Sequence, residues 1–127
     1  MSKASNRFFV REAEIVPYSP KNHTGTVNRR LIGRETVNAT QIEVVLGVVE
    51  PQHGALPHSH PGIEQVCYIL EGRAEAEVDG QKTELWPGDC CFFPAGKPHI
   101  FTAVGETKAR VLVIYAPPYM ESGAISH

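Results

Sequence analysis

From Ile42 to Tyr115 the chain is cut by a Gly- or Pro-bearing turn signal roughly every eight to twelve residues, and no stretch between the cuts holds a long amphipathic helix. The cuts fall at Pro51-Gln52-His53-Gly54-Ala55, Glu71-Gly72, Asp79-Gly80, Trp86-Pro87-Gly88-Asp89, Pro94-Ala95-Gly96-Lys97-Pro98 and Gly105-Glu106-Thr107. Between them lie short segments that suit extended chain: Ile42 to Val49, Gln65 to Leu70, Arg73 to Val78, Gln81 to Leu85, Cys90 to Phe93, His99 to Val104 and Lys108 to Tyr115. Asp79-Gly80 is a strong two-residue hairpin signal, because both turn positions need a positive φ. The pattern predicts an all-β sandwich or barrel. At 127 residues there is room for one domain with a real core and no room for two.

The chain carries a formal charge of -2 and has no basic run interleaved with aromatics, which argues against nucleic acid or an anionic membrane as the main partner. Three cysteines, Cys67, Cys90 and Cys91, cannot all pair, and adjacent cysteines rarely bridge, so a reduced, cytoplasmic protein is expected. Met1 to Glu14 lacks a basic region followed by an apolar run, and no apolar window reaches membrane-spanning length.

Residues 1–40 read as an N-terminal arm with edge strands, and residues 41–117 as the core of a single domain. In the arm, Phe8-Phe9-Val10 and Ile15-Val16 are short apolar patches closed by a turn at Pro17-Tyr18-Ser19-Pro20. Asn28 to Ile32 is a plausible strand whose Arg29 and Arg30 point to opposite faces, both expected to be solvated. His23 falls in a loop, with no expected role in chemistry. Ile42 to Val49 is largely apolar on both faces, which requires cover on two sides, from a second sheet and from a partner chain. Together with Phe8 and Phe9 this predicts a homodimer.

The chemistry concentrates at Pro57-His58-Ser59-His60-Pro61-Gly62-Ile63-Glu64-Gln65. In extended chain the side chains of His58 and His60 share a face, with Cα atoms roughly 6.5 to 7 Å apart, close enough for both imidazoles to reach one ion at about 2.1 Å. Pro57 and Pro61 argue against a helix here. On its own, however, an H-x-H pair is more often two surface histidines than a metal site.

Two motifs in register change that balance, and through them the chain resembles a single-domain cupin. His58, His60 and the segment up to Gly72 match the family's first motif, a glycine, H-x-H, an acid and a closing glycine. Gly88, Pro94, Gly96 and His99 match the second with every spacing kept. The resemblance spans Gly54 to Ala103 and implies a double-stranded β-helix, or jelly-roll, holding one divalent transition metal ion: nickel, zinc, iron, manganese or cobalt.

Three departures matter. Gly54 lies two residues closer to the histidines than is usual. Ala103 stands where the family often has asparagine. At the acid position, counting back from Gly72 lands on Gln65, while Glu64 fits the shorter spacing from His60. Strand parity favours the amide, so the expected ligands are His58, His60, Gln65 and His99, with Glu64 as the fallback. Three imidazoles and an amide leave the ion its full charge and so attract anions. Cys67, if it shares the inward face, is expected to be a small core residue.

What the resemblance implies about activity is broad. Small cupins carry out dioxygen insertion, or non-redox isomerisation and ring opening such as that of unsaturated uronates, where a monocupin has glutamine at this ligand position. The expectation is a metalloenzyme for a small anionic or enolisable compound (a sugar acid, phenol or keto acid), with Glu64, Tyr68 and Tyr115 as weak candidates for proton transfer. The alternative is a binding module, a sensor or storage domain without turnover. No second inward carboxylate emerges from the spacing.

Overall fold

The computed structural model describes residues 8–120, and 123–125 as backbone. After a 3-10 turn at Glu12–Glu14 the strands run β1 (Tyr18–Pro20), β2 (Thr26–Ile32), β3 (Glu43–Val49), β4 (Gly54–His58), β5 (Glu64–Glu71), β6 (Arg73–Val78), β7 (Gln81–Leu85), β8 (Cys90–Phe93), β9 (His99–Val104), β10 (Ala109–Ala116) and β11 (Gly123–Ile125). One helical turn, α1 (Arg34–Val37), separates β2 from β3. They form two antiparallel sheets, one ordered β11-β1-β2-β3-β10-β5-β8 and the other β4-β9-β6-β7. The all-β jelly-roll expectation is met. Among the described residues no helix is long and apolar enough to cross a membrane.

Alternation decides which side chains meet between the sheets. On β10, Ala109, Val111, Val113 and Tyr115 are buried while the residues between them are less so. On β5 the inward set is Gln65, Cys67 and Ile69. Against them the small sheet sets Ala74, Ala76, Phe101 and Ala103, with Ala74 opposite Ala103 and Ala76 opposite Phe101. Ile69 and Val45 are fully buried at the centre. Truncating Ile69 to alanine would cost about 2–5 kcal/mol through lost burial and the cavity left behind.

The hairpin at Asp79-Gly80 forms as its sequence predicts: both residues have positive φ, and Val78 pairs with Gln81. Gly54 is needed for another reason. Its φ is 154°, and a Cβ there would collide with the carbonyl of Phe101 on the neighbouring strand.

Two sequence expectations need correction. Tyr18–Pro20 is not simply a closing turn: it is a strand, because the far end of the chain supplies β11 as its partner, with Tyr18 opposite Ile125. Local composition carries no trace of so distant a pairing. Arg30 is not a solvated charge: its side chain is 15% exposed, and its Nε lies 2.5 Å from Oε2 of Glu43, itself 1% exposed. Glu43 sits on the same face of β3 as Val45 and Val49, the face turned into the core, and so requires a buried cation. The other arginine, Arg29, is half-buried and donates from Nε to the Ile15 carbonyl at 3.1 Å. With the Arg110–Glu12 ion pair at 3.0 Å, this ties the segment around residues 12–15 to the large sheet.

Candidate metal centre

His58 ends β4 and His99 begins β9, and the two are direct cross-strand partners. Adjacent antiparallel strands therefore bring their imidazoles together, with Nε2 atoms 3.1 Å apart. His60 lies beyond the strand in the turn that leads to β5. Its carbonyl accepts the amide N–H of Gly96 at 3.0 Å, so the turn of the second motif fixes the backbone of the first. The three ring centroids are 4.4 to 5.1 Å apart. One nitrogen from each ring lies within 4.8 Å of the others, a group able to bind a metal ion.

The donor chemistry fits such an ion. The Nδ1 atom of His58 lies 2.5 Å from the Leu56 carbonyl, and donation there leaves Nε2 with its lone pair facing His99. His60 and His99 are nearly fully buried, and burial, followed by the neighbouring His58, pulls both pKa values down to about 4. Both are neutral at pH 7 with a lone pair available. Nε2 of His60 and Oε1 of Gln65 are buried with no hydrogen-bond partner among the described residues. Gln65 is also close enough to His60 to oppose, through a side-chain hydrogen bond, part of the lowering of its pKa, so the amide and the imidazole sit side by side at the cluster. Two nitrogens that share an ion at about 2.1 Å lie roughly 3.0–3.5 Å apart, which the His58–His99 separation already meets.

Gln65 is buried and turned inward, whereas Glu64, the preceding residue, is exposed on the other face of β5. Across the sheet Gln65 lies between Tyr115 and Phe93, and Tyr115 in turn lies opposite Glu43. A single row thus runs Glu43, Tyr115, Gln65, Phe93 along the floor of the site. Of the three weak proton-transfer candidates, the structure brings only Tyr115 to the cavity. Glu64 and Tyr68 point away, Tyr68 being 39% exposed. Cys67 lines the cavity wall, and burial pushes its thiol pKa up, as a core residue's would be.

The cavity encloses about 40 Å³, with Val49, Phe93, Phe101, Val111 and Val113 as its apolar walls. That is room for an ion and a few solvent-sized ligands. A family model described as "Cupin domain" matches residues 45–115, the span that contains all four of these polar side chains. The chain belongs to the cupin family.

The wider comparisons agree. This cupin is 29% identical to an uncharacterised protein of Methanocaldococcus jannaschii over 84% of its own length and 83% of that protein's. It is 28% identical to "Polyketide synthase CurC" of Streptomyces cyaneus, over 92% of this chain and 75% of the relative. Among solved structures, KdgF from Halomonas sp. superimposes with a TM-score of 0.78 over 90% of this chain and 96% of that one, at 21% identity.

Three residues at the centre of this cupin escape sequence reasoning. His23, expected to be inert in its loop, lines the cavity with its ring centroid 5.7 Å from that of His58. It is carried there by backbone hydrogen bonds from Thr24 to Gly54 and from Leu56 to Asn22. Tyr119 packs its ring 4.3 Å from His60 and 5.2 Å from Tyr115. Glu43 is the inward carboxylate that spacing did not reveal. A charged residue leading an apolar strand is the one signal that could have marked it.

Proposed function

We propose that this cupin is a metal-dependent enzyme for a small anionic or enolisable organic compound, a sugar acid, phenol or keto acid, with His58, His60, His99 and Gln65 holding one divalent ion. The observation that supports this reading is that three imidazoles come together while Gln65, not Glu64, is the residue of β5 that faces inward, so that a neutral amide and not a carboxylate is available to join them. When bound, the ion supplies Lewis acidity to a carbonyl, hydroxyl or enolate oxygen. Isomerisation or ring opening needs only that and a proton carrier, while dioxygenation would need iron or another redox metal.

The chain's own groups shape the rest. The apolar walls exclude water and strengthen electrostatic interactions within the cavity. At about 40 Å³ the chamber admits one end of a substrate, leaving its remainder at the mouth beside His23 and His58. Tyr115 and His23 are the cavity-lining groups placed to exchange a proton with that end. CurC is named as a polyketide synthase, and polyketide chains carry β-keto groups that enolise readily, which supports the enolisable part of the substrate class.

One observation favours a second reading, a binding module without turnover. Glu43, the buried inward carboxylate, has one oxygen on Arg30 and the other on two backbone amides, so both oxygens are engaged in structural contacts and not turned to the cavity. A screen of the protein loaded in turn with each of the five metals, against sugar acids, phenols and β-keto acids, separates the two. Turnover of any of these supports the enzyme; a thermal shift without product formation supports the module.

The same reading takes the protein as a cytoplasmic homodimer. Its three free thiols suit a reducing compartment. The outer face of the large sheet offers Phe92 and Tyr68, both exposed, beside the half-buried Val66 and Ile114 as an apolar surface for a second copy.

A further inference from the structure

His58, His99 and His60 are held by different means. Nδ1 of His58 is fixed on the Leu56 carbonyl, and His99 stacks on Phe93 with ring centroids 4.2 Å apart and planes 27° from parallel. The His60 ring lies beyond the end of β4, and it is packed by Tyr119 at 4.3 Å and Tyr115 at 5.9 Å. Tyr115 is anchored in β10. Tyr119 is not in a strand: it belongs to the segment that follows β10.

What seats that segment is Glu43. Its Oε1 accepts the backbone N–H of both Tyr119, at 2.8 Å, and Met120, at 2.9 Å, while its Oε2 is paired with Arg30. Charge-assisted bonds to backbone amides are among the stronger hydrogen bonds, and this carboxylate is almost wholly shielded from water. Arg30 is in turn braced by Glu35 at 2.6 Å. A chain of contacts therefore runs from Glu35 through Arg30 and Glu43 to the backbone of Tyr119, and from the Tyr119 ring to His60.

We infer that Glu43 is a positioning residue for the metal centre: it latches the segment that follows β10 so that Tyr119 holds the His60 imidazole in the orientation that faces the ion. This rests on the metal-binding reading of the site. Outer contacts that orient a ligating histidine typically alter metal affinity by about 10- to 100-fold, and the Tyr119 ring supplies such a contact to His60. Tyr119 acts through its ring and Glu43 through its carboxylate, which gives them separable signatures.

The test compares Glu43→Gln, Tyr119→Ala and Tyr119→Phe with the unaltered chain. Zinc-loaded protein is mixed with excess chelator, and the release rate is read. Tyr119→Ala and Glu43→Gln should release zinc about tenfold faster or more, and Tyr119→Phe, which keeps the ring, should match the parent. A parent-like rate for Tyr119→Ala or for Glu43→Gln would overturn the inference, as would fast release from Tyr119→Phe. The second arm needs no metal. In the metal-free protein, hydrogen exchange at the Tyr119 and Met120 amides should speed up in Glu43→Gln, and the His60 ring resonances should move in Tyr119→Ala but not in Tyr119→Phe. If the parent takes up no zinc, the metal reading fails by itself, and the latch is then judged on the second arm. Unchanged amide exchange or unmoved His60 resonances there would reject it. Should Glu43→Gln fail to fold, the two Tyr119 variants decide the matter.

Discussion

The Nε2 atoms of His58 and His99 face each other at 3.1 Å across a single pair of antiparallel strands. In the neutral tautomer set by the Leu56 carbonyl, His58 presents a lone pair there. A cation between the two rings satisfies both, so metal binding should add to folding stability. Zinc at a hundredfold excess over its Kd is expected to contribute about 2.7 kcal/mol and to raise Tm by several degrees. Replacing His58 or His99 with alanine should abolish that rise, and scanning calorimetry with and without chelator checks it.

Acid should loosen the metal-free protein in a defined window. His60 and His99 are held near pKa 4 by burial and by His58, against about 6.5 in the unfolded chain. Between those values the unfolded chain binds protons that the folded one refuses, so stability rises with pH. It is complete above about 6.5 and lost as pH falls towards 4, by roughly 1.4 kcal/mol per unit for each proton the unfolded chain takes up in excess. Urea denaturation of metal-free protein at several pH values measures the slope. A flat profile across the window would contradict the burial of these rings.

Gly54→Ala should be among the more damaging single changes outside the core. The added Cβ meets the Phe101 carbonyl, and the φ of 154° is one that side chains resist. A loss of about 1–3 kcal/mol is expected. It is to be compared with Gly62→Ala, where no atom stands within 4 Å of the added carbon. The measurement is the urea midpoint of each variant.

Light scattering at micromolar concentration should report a dimer of this chain, and a lysine introduced at Phe92, on the outer face of the large sheet, should shift it towards monomer. A monomeric parent would contradict the homodimer.

Much of this was legible because strand period and turn chemistry are local. The alternation from Gln65 to Leu70 was enough to send Gln65 inward with Cys67 and to turn Glu64 out, and Asp79-Gly80 specified its own hairpin. Residues brought to the site by long-range pairing were not legible. His23 arrives through a bridge to Ala55, and Tyr119 through the carboxylate of Glu43 on a strand from the other end of the chain. Arg30 was misread because charge on a strand normally means solvent, and only the inward turn of Glu43 reverses that. Neither residue's immediate neighbours in sequence encode the partner.

An ion held by neutral donors, with Gln65 rather than Glu64 completing the three histidines, has a signature that competition with a chelator reads. Zinc affinity is measured for the parent, Gln65→Ala and Glu64→Ala. Gln65→Ala should loosen zinc by about tenfold or more while Glu64→Ala leaves it within about twofold, since Glu64 is exposed on the outer face of β5. The reverse ordering would contradict the neutral donor set and, with it, the preference for an anionic or enolisable substrate.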